Sequence, residues 1–319
     1  MWQYVLRRSG QAFVVILLVT FITFLLLHNL PGGAARSALG LDATQAQIDA
    51  YNVQMGYDQP FLVQYAMYLG RLFSGDLGFS FQQNQPVVDL IVQRLPKTMV
   101  LSFLAAVVAL LIAIPLGVVQ ATRRGQWPDY LVTSVALLAY ATPLFFLGML
   151  LIVLFSQTIP LLPPQAPQGF SVLDILADWP GLILPVVTLA IVTLAAYTRY
   201  VRSTMIDNLQ ENYIRTARAK GMSEGRVVIR HALRNSLFPV ISLLGMYIPA
   251  LFSGALVVEQ LFNYPGMGLM FWQATQTRDF PILLATTTIV AIATVVGSLL
   301  ADIAYAVADP RVRLSGGSE

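Results

Sequence analysis

Tyr213-Ile-Arg-Thr-Ala-Arg-Ala-Lys-Gly-Met-Ser-Glu224 lies in a basic loop between two uncharged, strongly apolar stretches. Residues 199–235 around it hold eight of the chain's nineteen Lys and Arg. So long and helix-prone a loop is more than a turn needs, and it reads as a surface built to meet a partner. The apolar stretches on either side decide what kind of molecule presents it.

The chain has 319 residues, 56% of them hydrophobic and only 11% charged. Soluble domains carry about 25% charged residues, so this chain lacks the side chains to cover itself in water. Its mean hydropathy of +0.68 agrees. Crossing a bilayer core takes about 20 apolar residues in a helix. Six stretches qualify, approximately 9–30, 98–121, 130–157, 179–198, 236–258 and 280–301, and none contains Asp, Glu, Lys or Arg. A single central charge would cost about 2.5–3.5 kcal/mol on insertion, so six uninterrupted runs are a strong signal. The expectation is an all-α membrane protein with six transmembrane helices.

The first run follows Arg7 and Arg8 but is longer than a secretory signal core, and reads as an uncleaved anchor. Basic residues in the connections set the orientation: fourteen fall on one side of the six spans and five on the other. Both termini and the long loop are therefore expected in the cytoplasm, with the chain multi-pass in the cytoplasmic (inner) membrane. Arg94 and Lys97, close to the second span on the outer side, run against the bias without reversing it. The net charge of +3 reflects this topology, so no nucleic-acid partner is implied. Membrane lipid is an expected partner.

The chain divides into a first helix (1–30), an extracytoplasmic segment (31–96), a membrane region of five helices (97–308) containing the cytoplasmic loop (204–236), and a tail (309–319). Residues 45–55 have helical spacing, with Ile48, Tyr51 and Met55 on one face and Gly56 as a stop. The connection after the third span carries Pro160, Pro163, Pro164 and Pro167 and reads as irregular. Pro115, Pro143 and Pro249 lie deep within spans and are candidate kinks or hinges.

Most self-contained chemistry is missing. Neither lysine, Lys97 or Lys220, sits in a phosphate-binding Gly-x-x-x-x-Gly-Lys-[Ser/Thr]. His28 and His231 fall on opposite sides of the membrane, so no catalytic or metal residues are assigned. Ion-coupled carriers place ionisable groups inside their spans, and here none occurs before Asp302 at a margin. A secondary carrier is disfavoured but stays open, because backbone carbonyls and hydroxyls can bind sodium. Gly221-Met-Ser-Glu-Gly225 fits Gly-x-x-x-Gly in a charged loop, where that spacing means nothing for helix pairing in lipid.

The loop reads as helix, break, helix. Residues 205–220 are mostly helix formers, Gly221 suits a left-handed C-terminal position, and Ser223 can cap a second helix with Glu224 in its first turn. That second helix runs towards Asn235 with Val227, Val228, Ala232 and Leu233 available to pack.

These residues resemble the cytoplasmic coupling loop of binding-protein-dependent ABC importer permeases, in its dipeptide and oligopeptide form. The family pattern is Glu-Ala-Ala, three residues, Gly, nine residues, then Ile-x-Leu-Pro. Arg215-Thr-Ala217 stands at the first triplet and Gly221 at the glycine, while His231, Leu233 and Arg234 stand at Ile, Leu and Pro. Two of those last three depart, but His231-Ala-Leu-Arg-Asn235 followed later by Pro239 is the form of the peptide permeases. Gly75-Asp-Leu-Gly-Phe-Ser80, Gln85-Pro86, Arg94-Leu-Pro96, Ala141-Thr-Pro143, Tyr264-Pro-Gly-Met-Gly268 and Asp309-Pro-Arg-Val-Arg313 resemble further recurring segments.

The resemblance implies a type I ABC importer permease fold and a subunit without enzymatic activity. It implies a second homologous permease, two ABC ATPase subunits carrying the ATP and magnesium, and an extracytoplasmic substrate-binding protein. Arg215, Thr216, Ala217, Arg218, Ala219, Lys220, Gly221, Met222, Ser223 and Glu224 would meet the ATPase, with no cofactor bound by this chain. Peptide is the implied cargo; nickel, glutathione or an oligosaccharide is the alternative within the same class of machine.

Overall fold

The computed structural model describes residues 2–29, 35–36, 39–40, 43–237, 240, 243, 247, 251–252 and 255–308. Among them the chain is helical apart from one minimal hairpin and its connections. The first helix, α1 (Trp2–His28), leads to two short outer helices, α2 (Gln45–Met55) and α3 (Phe61–Phe73). As expected, α2 ends on Gly56 in the left-handed conformation, and at its start Thr44 and Gln47 form a reciprocal capping box. A two-residue antiparallel pair, Phe79–Ser80 with Gln85–Pro86, closes this outer segment.

The longest helix, α4 (Val87–Thr122), begins eleven residues before the expected second span and takes Arg94, Pro96 and Lys97 into its body. Its 36 residues extend about 54 Å, well beyond a hydrocarbon core of roughly 30 Å, so its first turns stand clear of lipid. Lys97 is buried there with its ammonium donating to the Gly169 carbonyl at 2.8 Å. The outer basic residue that sat awkwardly in the sequence is therefore a clasp on the proline-rich connection. Pro115 also lies inside this continuous helix, where the structure contains no break.

Pro143 behaves differently. Residues 130–157 are not one helix: α5 (Trp127–Ala141) stops, Thr142 and Pro143 are extended, and α6 (Leu144–Ile152) continues as a π-helical turn (Val153–Thr158). The two halves bend by 103°. The residue before a proline is sterically pushed out of the helical region, which accounts for the stop at Thr142. After α7 (Val172–Ala177) comes α8 (Trp179–Leu209), and then the basic loop. The chain ends in α11 (Leu256–Leu261), α12 (Met267–Thr277) and α13 (Phe280–Ala308), the numbers α9 and α10 belonging to the loop helices Asn212–Ala219 and Glu224–Arg226.

Four described helices, α1, α4, α8 and α13, are long and apolar enough to cross a membrane, and the bent pair makes five if it counts as one span. The expected fifth span, 236–258, falls largely outside the described residues, as do Pro249 and the tail 309–319. The expectation of six helices is thus met to that extent only.

The core is built on α4 against α8. Ala105, Ala109, Ala113 and Gly117 recur every fourth residue on α4, all buried, and a Cβ at Gly117 would meet Val201 of α8. Small residues at this spacing let two backbones approach closely in lipid, where dispersion rather than water exclusion holds helices together. Three apolar clusters succeed one another along the molecule. The first joins α4 to α12 and α13 through Val87, Met267 and Ile282; the second gathers Leu101, Leu184 and Phe262; the third gathers Tyr197, Met205 and Val227.

Candidate functional site

The basic loop folds as two short helices at the C-terminal end of α8. The expected helix over 205–220 is in fact divided. Helix α8 runs to Leu209, Glu211 turns extended, and α9 spans Asn212–Ala219. Three exposed polar residues in sequence, Gln210, Glu211 and Asn212, begin little that could pack, which accounts for the interruption.

Helix α9 ends where expected. Gly221 has φ +75°, its N–H bonds to the Arg218 carbonyl at 2.9 Å, and Met222 N–H reaches the Ala217 carbonyl at 3.3 Å. This pair of bonds is the Schellman arrangement, which requires a residue tolerant of the left-handed region. Space is not the reason for glycine here, since a Cβ would touch nothing within 4 Å. Ser223 occupies the cap position of the next helix in extended conformation, but its hydroxyl makes no capping bond. The carboxylate of Glu224 reaches back across the turn instead, with Arg218 Nε at 2.7 Å and Nη2 at 3.2 Å.

That fork-to-carboxylate contact holds the Glu224 carboxyl below the usual range and the Arg218 guanidinium above its own. A carboxyl with a lowered folded-state pKa supports the fold above its unfolded value and loses that support as pH falls through the folded one. The pair is therefore intact at neutral pH.

Of the ten sequence-assigned residues, Arg215, Thr216, Arg218, Ala219, Lys220, Gly221, Ser223 and Glu224 are exposed. Met222 is half-buried. Ala217 is buried with Ile214 on the other face of α9, in a cluster with Tyr197, Val201 and Met205. Val227 and Ala232 are also fully buried in this cluster, while Val228 and Leu233 pack at its edge. They belong to a π-helical stretch, Val227–Leu233, not a regular helix.

The loop's base is tied down by contacts that the sequence reading missed. Thr204 Oγ1 donates to the Ser236 carbonyl at 3.1 Å while Ser236 Oγ donates to the Thr204 carbonyl at 3.2 Å, joining the chain on both sides of the loop. Two residues before Thr204, Arg202 forks onto Asp129 at 2.7 and 2.8 Å, and Asp129 also accepts from Gly125 N–H. This ion pair ties α8 to the first turn of α5. Its one sequence signal was an Asp just after Pro128 at a helix start, where acidic residues are favoured.

A second polar site surrounds Glu259, which is fully buried. Its carboxylate accepts from the Thr98 hydroxyl at 2.8 Å and the Leu269 N–H at 3.0 Å. Thr98 Oγ1 in turn accepts Met267 N–H at 2.7 Å, and the Tyr264 hydroxyl donates to the Lys97 carbonyl at 2.7 Å. The segment Tyr264-Pro-Gly-Met-Gly268 is thus a turn folded around one carboxylate, and a Cβ at Gly266 would collide with Glu259 and Thr98. Among the described residues, no three His, Asp or Glu gather as a metal ion would need.

Residues 1–102 match the N-terminal part of the membrane component of binding-protein-dependent transport systems. Residues 113–314 match the binding-protein-dependent transport system inner membrane component. The oligopeptide transport system permease protein AppB of Bacillus subtilis (strain 168) is 38% identical over 97% of this chain and 98% of its own length. The probable D,D-dipeptide transport system permease protein DdpB of Escherichia coli (strain K12) is also 38% identical, over 99% of each chain. With four or five apolar helices, a loop of this design and matches along nearly its whole length, the chain belongs to the family of binding-protein-dependent transport system inner membrane components, multi-pass proteins of the inner membrane.

Proposed function

We propose that the chain is a transmembrane permease subunit of an ABC importer for peptides. It forms half of a six-helix-per-subunit passage of the type I permease fold, pairing with a second homologous permease. Both termini lie in the cytoplasm. Two ATPase subunits press on the cytoplasmic loops and hold the nucleotide and magnesium, and an extracytoplasmic binding protein delivers the peptide. The relatives named for oligopeptide and D,D-dipeptide transport support the cargo.

One observation carries the coupling role: eight exposed residues of the loop's helix–turn–helix stand on a base locked into the inner core. A displacement of α9 is passed through Ile214 and Ala217 to α8, through α8 to its close partner α4, and through Arg202 to Asp129 on α5. Beyond Pro143 the chain changes direction by 103°, so α5 can swing without carrying α6 in line. Such a lever turns closure of the ATPases into alternating access.

The experiment is ATP-driven uptake in vesicles containing the complete assembly. Gly221→Pro forces φ near −65° onto a residue held at +75°, and Arg218→Glu reverses an exposed charge. Both are expected to abolish uptake and weaken ATPase assembly. Intact uptake and assembly in either variant would remove the coupling role.

A further inference from the structure

We propose that the outer end of the molecule holds a phospholipid, its phosphate seated on Arg71 and an acyl chain in the groove between α1 and α13. A cavity of about 190 Å³ lies between α1, α2, α3 and α13. Its polar wall is formed by Arg71 and Gln64 of α3, Asn52 of α2, Tyr57 just beyond it and His28 at the end of α1. Its apolar wall is Phe24 and Leu27 of α1 with Phe280 and Leu284 of α13.

Arg71 is the one permanent charge lining this space. Its guanidinium lies beside the Tyr57 hydroxyl, and among the described residues it makes no salt bridge. The amide nitrogen of Gln64 is already spent on the Tyr57 and Gln59 carbonyls, at 2.9 and 2.7 Å. No carboxylate lines the cavity. A half-buried guanidinium with no acidic neighbour in its cavity is a receptor for an oxyanion, phosphate or carboxylate.

The adjoining space selects between them. A second cavity of about 330 Å³ shares Leu27 and is lined by Thr23 and Leu26 of α1, Phe271 and Thr275 of α12, Arg278 just after it, and Leu283 and Thr287 of α13. Both cavities flank the last turns of α1 and the first turns of α13, at the ends of two helices long and apolar enough to cross a membrane. A cation beside apolar walls complements an amphiphile with an anionic head; basic pockets between membrane helices hold lipid headgroups in this way. Free phosphate and peptide carboxylate share the oxyanion chemistry but leave the groove empty. Helix α1 has room for such a wedge, because most of its apolar surface is uncovered by the rest of the chain.

The test is native mass spectrometry of the delipidated full chain in detergent with phosphatidylglycerol, inorganic phosphate or a dipeptide added. The wild type should retain one phosphatidylglycerol per chain and neither of the other two. Arg71→Gln, and Leu283→Trp filling the groove, should each lower retention about tenfold, while Arg71→Lys keeps most of it. Circular dichroism verifies that each variant is folded. Unchanged retention in Arg71→Gln and Leu283→Trp, or displacement of the lipid by equimolar phosphate or dipeptide, would overturn the assignment.

Discussion

At the scale of single residues, the molecule places its few ionisable groups where a partner or a turn needs them. Glu259 is the clearest case, a carboxylate withdrawn from solvent and given two donors, Thr98 and Leu269. Replacing it by leucine strands both donors, and each buried group left unpaired costs about 1–3 kcal/mol. Glu259→Leu should therefore lower the thermal unfolding midpoint in detergent by several degrees, with Glu259→Gln in between. An unchanged midpoint would show that the turn does not depend on the carboxylate. Gly221 was legible in advance because only a backbone rule is involved: a glycine after a helical run marks a left-handed stop. Glu259 was not legible. Its partners lie 161 and 10 residues away, and nothing in an apolar run reveals that it will close on a threonine from another helix. The burial of Ala217 was not legible for a related reason, since a motif gives spacing but not which face of α9 packs on the core.

At the scale of elements, α8 is bound to α4 along a stripe of small residues and to α5 by one ion pair. Asp129 is buried while Arg202 is part-exposed, so Asp129→Ala removes the acceptor for a guanidinium and for Gly125 N–H. The expected loss is about 1–3 kcal/mol of stability, less where water screens Arg202. The more telling outcome is functional: nucleotide hydrolysis in the complete assembly persists while uptake per ATP falls. A proportional fall in both would mean that the pair only supports the fold. Four of the spans were readable from hydrophobic runs, because a charge-free stretch of 20 residues has few other uses. The start of α4 was not readable, since Val87-Val-Asp-Leu-Ile-Val-Gln-Arg-Leu-Pro96 mixes charges and a proline into a helix that has left the lipid. The bend at Pro143 was half readable. Proline announces an interruption, but its 103° angle depends on how α6 packs against α8 and α11.

At the scale of the whole molecule, the proposed function separates an outer surface, a passage and an inner lever. The chain has no cysteine, so single cysteines report topology cleanly. Phe170 in the outer connection is 92% exposed and Ile229 in the loop is 66% exposed. Phe170→Cys should react with a membrane-impermeant maleimide on intact cells, and Ile229→Cys only in inverted vesicles. The reverse pattern would invert the orientation read from the loop charges. The most direct test of the account is peptide accumulation in proteoliposomes made with this chain alone or with the second permease, the ATPases and the binding protein. The complete set with ATP should concentrate peptide inside the vesicles, and the chain alone should never carry it above equilibrium. Uphill accumulation by the chain alone, driven by an ion gradient or by ATP, would contradict a passage whose motor lies in other subunits.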